Sequence, residues 1–363
     1  MTALQPGATI GIVGGGQLGR MTALAAARLG YRCHVFSPEA DGPGAQVAAA
    51  ATVADYQDLD ALRRFAKQVD VVTYEFENIP LATIRELAEI VPARPGPQAL
   101  EISQHRLVEK TFARELGIAT AEFAAVNSLQ DLQAGLLSIG YPAILKTCRF
   151  GYDGKGQVRI NGPEDVTQAW ADVATEEAIL ESVVAFEREV SVIVARGLDR
   201  SCAVYPPAEN HHVNHILDTT IAPASLPAAT AEAAIDAAVR MAQAIDIEGL
   251  LAVELFVTDD GAVLLNEIAP RPHNSGHWTQ DGAVTDQFEQ LVRAICGLPL
   301  GDAAVATPTV MQNLIGAAVD DWPRLLASPG ARLHLYGKAE SRPGRKMGHV
   351  NWLGGAAPDN HGP

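Results

Sequence analysis

The chain has no run of lysine and arginine, and its 27 basic residues are outnumbered by 43 acidic ones, for a formal charge of −16. A surface of that sign repels a phosphate backbone, which argues against nucleic acid as a partner. Long apolar runs are also missing. Ala8 to Val13 is too short for a signal peptide or a membrane span, and Met1 to Gly7 carries no basic segment, so the expectation is a cytoplasmic protein with no membrane contact. The four cysteines, Cys33, Cys148, Cys202 and Cys296, lie far apart with no C-x-x-C pair, which argues against a zinc knuckle or a disulfide framework. They read as buried, reduced thiols, with Cys148, two residues after Lys146, the one placed near a candidate site. No helical H-E-x-x-H is present, and His211, His212 and His215 have no Cys nearby. Hydrogen bonding beside a ligand therefore suits them better than metal ligation. No G-K-[ST] opens a helix, no internal repeat is visible, and there is no disordered tail of any length.

What is present is an ordinary globular balance, 48% apolar and 19% charged, over 363 residues. That length exceeds one typical core and predicts two or three domains with clefts between them. An apolar run at Ala8 to Val13, a glycine cluster, a helical Gln17 to Leu29 and a strand-like Tyr31 to Phe36 give strand, turn, helix, strand. A helical Asp58 to Lys67 and a strand at Val69 to Tyr74 continue the alternation of a parallel sheet. The breaker-rich Pro92 to Pro97 closes a first domain, residues 1–100. A second, 101–298, begins with a helix read over Ile102 to Leu116 and continues with strands at Ala143 to Thr147, Ala178 to Glu181 and Glu187 to Ala195. A helix at Thr230 to Ala244 then leads into a hairpin of Leu250 to Val257 and Ala262 to Ile268. A small tail of short strands and Gly/Pro turns, 299–363, forms a third unit. The fold class is mixed α/β and α+β.

Gly14, Gly16 and Gly19 match G-x-G-x-x-G after a strand and before a helix. Glycines there let backbone N–H groups approach a phosphate, and the helix start favours any anion. A dinucleotide site also needs an acid at the end of the second strand, where Phe36 is followed by Ser37 and Pro38. The loop thus fits a monophosphate at least as well as NAD, and a merely structural turn stays open. A second glycine loop, Arg149 to Gln157, follows the strand that carries Lys146. With Gly151, Gly154 and Gly156, and with Lys155 inside it, such a loop can close over a triphosphate and exclude water; a plain mobile hairpin is the bland alternative.

In the hairpin, a two-residue Asp260-Gly261 turn would set Glu254 directly opposite Glu267. Opposed anions destabilise a sheet, so the pair asks for a cation, and two hard oxygen donors suit Mg²⁺ on nucleotide phosphates. A loop of another length would spoil that register. The segment Ala269 to Trp278 follows at once, with Arg271 between two prolines offering a planar fork to carboxylate, bicarbonate or phosphate.

Together, Gly14 to Arg20, Tyr74-Glu-Phe-Glu-Asn78, Phe150 to Gln157, Glu209 to Leu217 and Asn266 to Trp278 resemble the ATP-grasp superfamily, and at closer range its 5-(carboxyamino)imidazole ribonucleotide synthetase family. The resemblance spans nearly the whole chain. It implies an ATP-grasp fold with an N-terminal Rossmann-like domain, a lid-bearing ATP-grasp domain and a small C-terminal domain. It also implies an ATP- and Mg²⁺-using ligase that carboxylates the exocyclic amine of 5-aminoimidazole ribonucleotide with bicarbonate, through carboxyphosphate. For ATP it implies Arg106, Lys146, Gly151, Tyr152, Asp153, Gly154, Lys155, Gly156 and Gln157. Glu181, Ser182, Val183 and Val184 would form the adenine hinge, with Glu189 on the ribose, and His212, Asn266 and Glu267 would complete the nucleotide site. Glu254 and Glu267 would hold the metal. The substrate nucleotide would meet Gly16, Gln17, Leu18, Glu75, Tyr152, Asn274, Ser275, Arg345 and Lys346, and chemistry would rest on Lys146, Asp153, Arg271, His273 and Lys346. Another ATP-grasp ligase or transformylase is the nearest alternative, an NAD-dependent oxidoreductase a remote one. A homodimer is compatible with the sequence, which selects no oligomeric state.

Overall fold

A computed structural model describes residues 3–149, 151 and 155–354. The opening alternation builds a parallel sheet from β1 (Thr9–Val13), β2 (Arg32–Ser37), β3 (Ala50–Val53) and β4 (Val71–Tyr74), in the order β3-β2-β1-β4. Helices α1 (Gln17–Arg28) and α2 (Leu59–Ala66) supply crossovers between its parallel strands, and α3 (Leu81–Ala88) follows β4. α2 starts where its pattern says: the Asp58 carboxylate accepts from the Ala61 N–H at 2.9 Å, an N-cap.

The helix expected over Ile102 to Leu116 is two helices, α4 (Pro97–Ser103) and α5 (Arg106–Glu115). The break falls at His105, whose backbone is extended, and the Gln104 side chain is drawn out of the helix to donate to the carbonyls of Glu77 and Ile79, both at 2.6 Å. The interruption sets Arg106 at the start of a fresh helix that faces the cleft described below.

A second, antiparallel sheet comprises β5 (Phe123–Val126), β6 (Ala143–Thr147), β7 (Gln157–Ile160) and β8 (Ala178–Ser182), ordered β5-β8-β6-β7. One face is closed by α6 (Leu129–Ile139) and α7 (Val166–Val173), which pack on Ala143, Leu145, Ala178 and Leu180. Alternation along the strands turns Ile144, Lys146 and Glu181 to the other face.

The third sheet runs β14-β13-β9-β11-β12-β15-β17-β16 with β10 also on β9. Its strands are β9 (Arg188–Arg196), β10 (Cys202–Val204), β11 (Ala208–Val213), β12 (Ile216–Ala222), β13 (Gly249–Val257), β14 (Val263–Ala269), β15 (Thr309–Ile315), β16 (Ala331–Leu335) and β17 (Lys346–Leu353). Its central strands are covered on both sides, which is why they read as continuous apolar runs rather than alternating ones. Val190, Val192, Val194, Leu251, Val253 and Leu255 join the cluster of α8 (Ala228–Ala244). Ile193, Ala195, Leu250 and Ala252 join the opposite cluster, with Leu291, Val292 and Ile295 of the helix at Gln287–Cys296 and with Ile10, Ile12 and Ala26 of the first sheet's layer. The tail beyond residue 299 forms no sheet of its own, because β15 pairs with β12 and extends the large sheet. Among the described residues, no helix is long and apolar enough to cross a membrane.

Candidate active site

The second sheet turns its uncovered face, with Ile144, Lys146 and Glu181, toward the end of the large sheet, where Glu189, Glu254 and Phe256 continue a face whose inner part lies under the helix at Gln287–Cys296. Between them is a cavity of about 460 Å³. A second cavity, of about 310 Å³, opens beside the first glycine loop and is lined by Gln17, Leu18 and Glu75. Both are lined by Glu77, Asn78, Arg271, His273, Asn274 and Lys346, so the two spaces meet at those residues.

The hairpin does place Glu254 opposite Glu267, but not through a two-residue turn. The loop has three residues: Gly261 N–H donates to the Thr258 carbonyl at 3.0 Å, and Gly261 takes a left-handed φ of +82°. Pairs nearest the turn are therefore shifted by one, with Leu255 opposite Leu265. An irregularity at Asn266, which has no partner across the ladder, adds the residue that restores the opposition. The expected register is reached by two departures that cancel.

Each carboxylate has found a nitrogen partner. Glu267 is 3.0 Å from Arg106, and Glu254 lies 3.0 Å from His273 Nε2. Burial opposes ionisation of Glu254, yet His273, His212 and Lys346 outweigh it and bring its pKa down to about 2. On the facing sheet, Lys146 Nζ donates to Glu181 at 2.6 Å and Lys110 Nζ lies 3.3 Å from the other oxygen. Burial would raise Glu181, but Lys146 and Lys110 hold it at about 2. Lys146 itself is lowered, by burial first and then by Arg106 and Lys110, with Glu181 acting against the shift. The Glu181 side chain thus neutralises lysines, which leaves the hinge reading of Glu181 to Val184 to backbone atoms. His212 and Glu189 bind each other at 2.6 Å; burial lowers His212, and Glu189 more than compensates, raising its pKa.

Arg271 donates through Nε to Glu77 and through Nη1 to the Pro272 carbonyl at 3.0 Å. His273 is braced through Nδ1 by the Ser275 hydroxyl at 2.8 Å. Ser275 is buried and lines neither cavity, and its hydroxyl orients His273. Asn274 does line both spaces, held by its Nδ2 donating to Asn313 at 3.0 Å. Lys346 lines both, whereas its neighbour Arg345 lines neither and donates to the Glu340 carbonyl at 2.9 Å. Gly151, Lys155 and Gln157 line the larger cavity, as do Val183, Val184 and Asn266; Ser182 and Gly156 do not. Gly156 has φ +70° and its carbonyl accepts from Thr147 N–H at 2.8 Å, closing the root of the loop. Tyr152, Asp153 and Gly154 lie outside the described residues.

The first glycine loop does cradle an anion, and the anion is the protein's own. The Glu75 carboxylate accepts from Gly16 N–H and, at 2.7 Å, from Gly19 N–H. A Cβ at Gly16 would stand 2.7 Å from a Glu75 oxygen, so a larger residue there would push the carboxylate aside. Burial raises the Glu75 pKa against the pull of those two N–H groups. Several site residues escaped the sequence reading. Glu77 and Lys110 are ion-pair partners that only the fold reveals. Phe186 and Phe256, stacked at 4.6 Å, line the larger cavity; the two-residue spacing of Phe256 from Glu254 was the available signal.

Comparison with known proteins decides among ligases of this architecture. The ribonucleotide synthetase preATP-grasp domain is matched over residues 7–104, the ATP-grasp domain over 111–288 and the phosphoribosylaminoimidazole carboxylase C-terminal domain over 309–359. The N5-carboxyaminoimidazole ribonucleotide synthase of Brucella melitensis is 50% identical, over 96% of this chain and 97% of that protein. The chain belongs to the N5-carboxyaminoimidazole ribonucleotide synthase family. As a member it is an ATP-grasp ligase of purine biosynthesis. A bifunctional purine synthesis protein of Dictyostelium discoideum is 48% identical over 96% of the chain, which spans 37% of that longer protein. An N5-carboxyaminoimidazole ribonucleotide synthetase solved with ADP superposes with a TM-score of 0.93 at 46% identity, covering 97% of this chain and 94% of its own. The Aspergillus clavatus synthase, solved with ADP and 5-aminoimidazole ribonucleotide, gives 0.91 at 31% identity, covering 97% and 95%. Membership removes the oxidoreductase alternative and accounts for the missing ribose-binding acid after β2.

Proposed function

We propose that the larger cavity takes ATP, the smaller one 5-aminoimidazole ribonucleotide, and that bicarbonate is activated where they meet. The shared lining by Arg271, His273 and Lys346 carries this reading, because a carboxyl carrier made at the triphosphate end can reach the amine without crossing bulk water. A bicarbonate oxygen attacks the γ-phosphorus of ATP, giving carboxyphosphate and ADP. Carboxyphosphate then yields phosphate and CO₂, and the exocyclic amine captures the CO₂ and loses a proton. Lys146 and Arg271 offset charge spreading over the transferred group, and His273 and Lys346 face the amine. Gly151, Lys155 and Gln157 of the second glycine loop lie toward the triphosphate, and Asp153 and Tyr152 of the same loop are assigned to the reaction with them. Adenine lies by Phe186, Phe256 and the Val183 and Val184 backbone, with Glu189 and His212 toward the ribose. The substrate phosphate takes the start of α1, on the N–H groups of Gly16, Gln17 and Leu18, and Glu75 withdraws as it enters.

The donor set fits magnesium: Glu254 and Glu267 oppose each other with Asn266 between them on the second strand, all hard oxygen donors. Bound there, Mg²⁺ would neutralise phosphate charge. The protein's own part is to hold the two carboxylates in place, with Arg106 against Glu267 and His273 against Glu254. The same reading divides the chain at 1–100, 101–298 and 299–363, places it in the cytoplasm and takes a homodimer as the oligomer to test by sedimentation.

Trapping with labelled bicarbonate tests the carboxylation. Label enters the imidazole nucleotide with one ADP formed per carbon fixed, and Arg271→Lys keeps ATP binding while losing most of that ADP formation, because an ammonium cannot present the same fork. Incorporation of labelled formate or glycine instead would retain the ATP site and sink the carboxylation.

A further inference from the structure

Cys148 was the one cysteine expected near the site, and the mechanism above leaves it unused. It directly follows the strand that carries Lys146, and three elements meet at it. The Cys148 carbonyl accepts from Arg106 N–H at 3.0 Å, and its own N–H reaches the Glu177 carbonyl at 3.4 Å. His105, directly before α5, and Glu177, directly before β8, bring their side chains to the same point: His105 Nε2 is 2.9 Å from Glu177 Oε2. One ligand atom each from His105, Cys148 and Glu177 can be chosen so that all lie within 4.8 Å of one another.

One ring nitrogen of the cluster has no partner. His105 is 6% exposed, and its Nδ1 is buried without a hydrogen-bond partner, a condition rare for a buried ring nitrogen. Cys148 is 2% exposed, and burial, then Glu177, push its thiol up to about 12, which disqualifies it as a nucleophile. The Leu107 N–H at the start of α5 bonds to it and acts in the other direction. A cation reverses that balance by deprotonating the thiol outright. Glu177 is half exposed and gives the cluster an opening to solvent.

We infer that His105, Cys148 and Glu177 form a binding site for a soft divalent cation of the zinc class, separate from the Glu254 and Glu267 pair. One nitrogen, one thiolate and one carboxylate with a fourth position left to water is a donor set that zinc accepts in tetrahedral geometry. Thiolate in the set selects against magnesium. Around an ion the donors stand about 3.5 Å apart, so the His105–Glu177 contact of 2.9 Å opens toward that distance and the remaining separations, within 4.8 Å, close to it.

Cobalt(II) is the probe, since thiolate ligation gives a charge-transfer band in the near ultraviolet. The metal-free, reduced full-length protein, with excess Mg²⁺ present, is titrated with Co²⁺ and then with Zn²⁺. The band saturates at one equivalent, disappears on adding Zn²⁺, is absent in Cys148→Ser and persists in Cys202→Ser. Glu177→Gln, a change at the exposed end that leaves folding untouched, retains the band but weakens Co²⁺ affinity by at least tenfold. No band in the native protein, or a band that survives in Cys148→Ser, overturns the site whatever becomes of the carboxylation.

Discussion

Glu109 shows how one buried carboxyl beside the site can make the stability of the fold depend on pH. It lies on α5 beneath β14, fully buried, and accepts from the Ile268 N–H. Burial, and then the nearby Glu267, push its pKa up to about 8, against the pull of Lys110 and Arg106. The fold therefore holds a proton that the unfolded chain has released above the ordinary carboxylate range, and folding takes up a proton between that range and about pH 8. The stabilising contribution is complete below the ordinary value and is lost as the pH rises through about 8. One proton corresponds to about 1.4 kcal/mol per pH unit. Thermal melts across that window should show a decline in Tm for the native protein that is shallower in Glu109→Gln, which keeps the size and cannot ionise. Parallel declines would show that Glu109 is already ionised in the fold. Little of this was legible in the sequence. Glu109 is one of several acids on a helix, and only the packing of α5 on β14 takes it out of water.

The hairpin of β13 and β14 is where sequence reasoning succeeded for an incomplete reason. Asp260-Gly261 marked the turn, and Glu254 does face Glu267, but the turn holds Asp259 as well and the irregularity at Asn266 makes up the difference. Loop length was hidden because Thr258 to Ala262 offers several turn residues in a row, and nothing local marks a bulge at Asn266. The carboxylates' opposition is then set at the Asn266 end, where Lys110 holds the Asn266 carbonyl at 3.1 Å, and the turn serves stability alone. Gly261→Ala tests the separation. Its left-handed φ costs an alanine roughly 1–2 kcal/mol, and the new Cβ would press on Thr230 Oγ1 at 3.1 Å. Tm should fall by about 2–4 °C with kcat unchanged; a folded variant that has lost activity would place the register in the turn. The broken helix teaches the same lesson. Ile102 to Leu116 has helical spacing throughout, and the Gln104 side chain interrupts it for contacts with Glu77 and Ile79 that lie 27 and 25 residues away in the chain.

At the scale of the molecule, the strand-helix alternation of the first hundred residues and the change of architecture after Pro97 were both readable, because period and breakers are local. The destination of the last strands was not. The tail looks like a separate unit in sequence, yet β15 extends the large sheet from β12, and Asn313 on it donates to the Leu217 carbonyl at 2.8 Å while holding Asn274. A chain ending at Leu298 would bare the β12 edge and lose Lys346, and it should aggregate or fail to melt cooperatively. A soluble 1–298 fragment that melts as one unit and binds ATP would show that the tail is an accessory. The Glu75 carboxylate on the Gly16 and Gly19 N–H groups has its own consequence for the whole enzyme. If the substrate's phosphate must evict a resident carboxylate, the measured dissociation constant for the nucleotide is its intrinsic value divided by the fraction of molecules whose cradle stands open. Discrimination then follows from competition. Ions such as sulfate or free phosphate, which bring no sugar or base to offset the eviction, are turned away by a tenant that the complete nucleotide can displace.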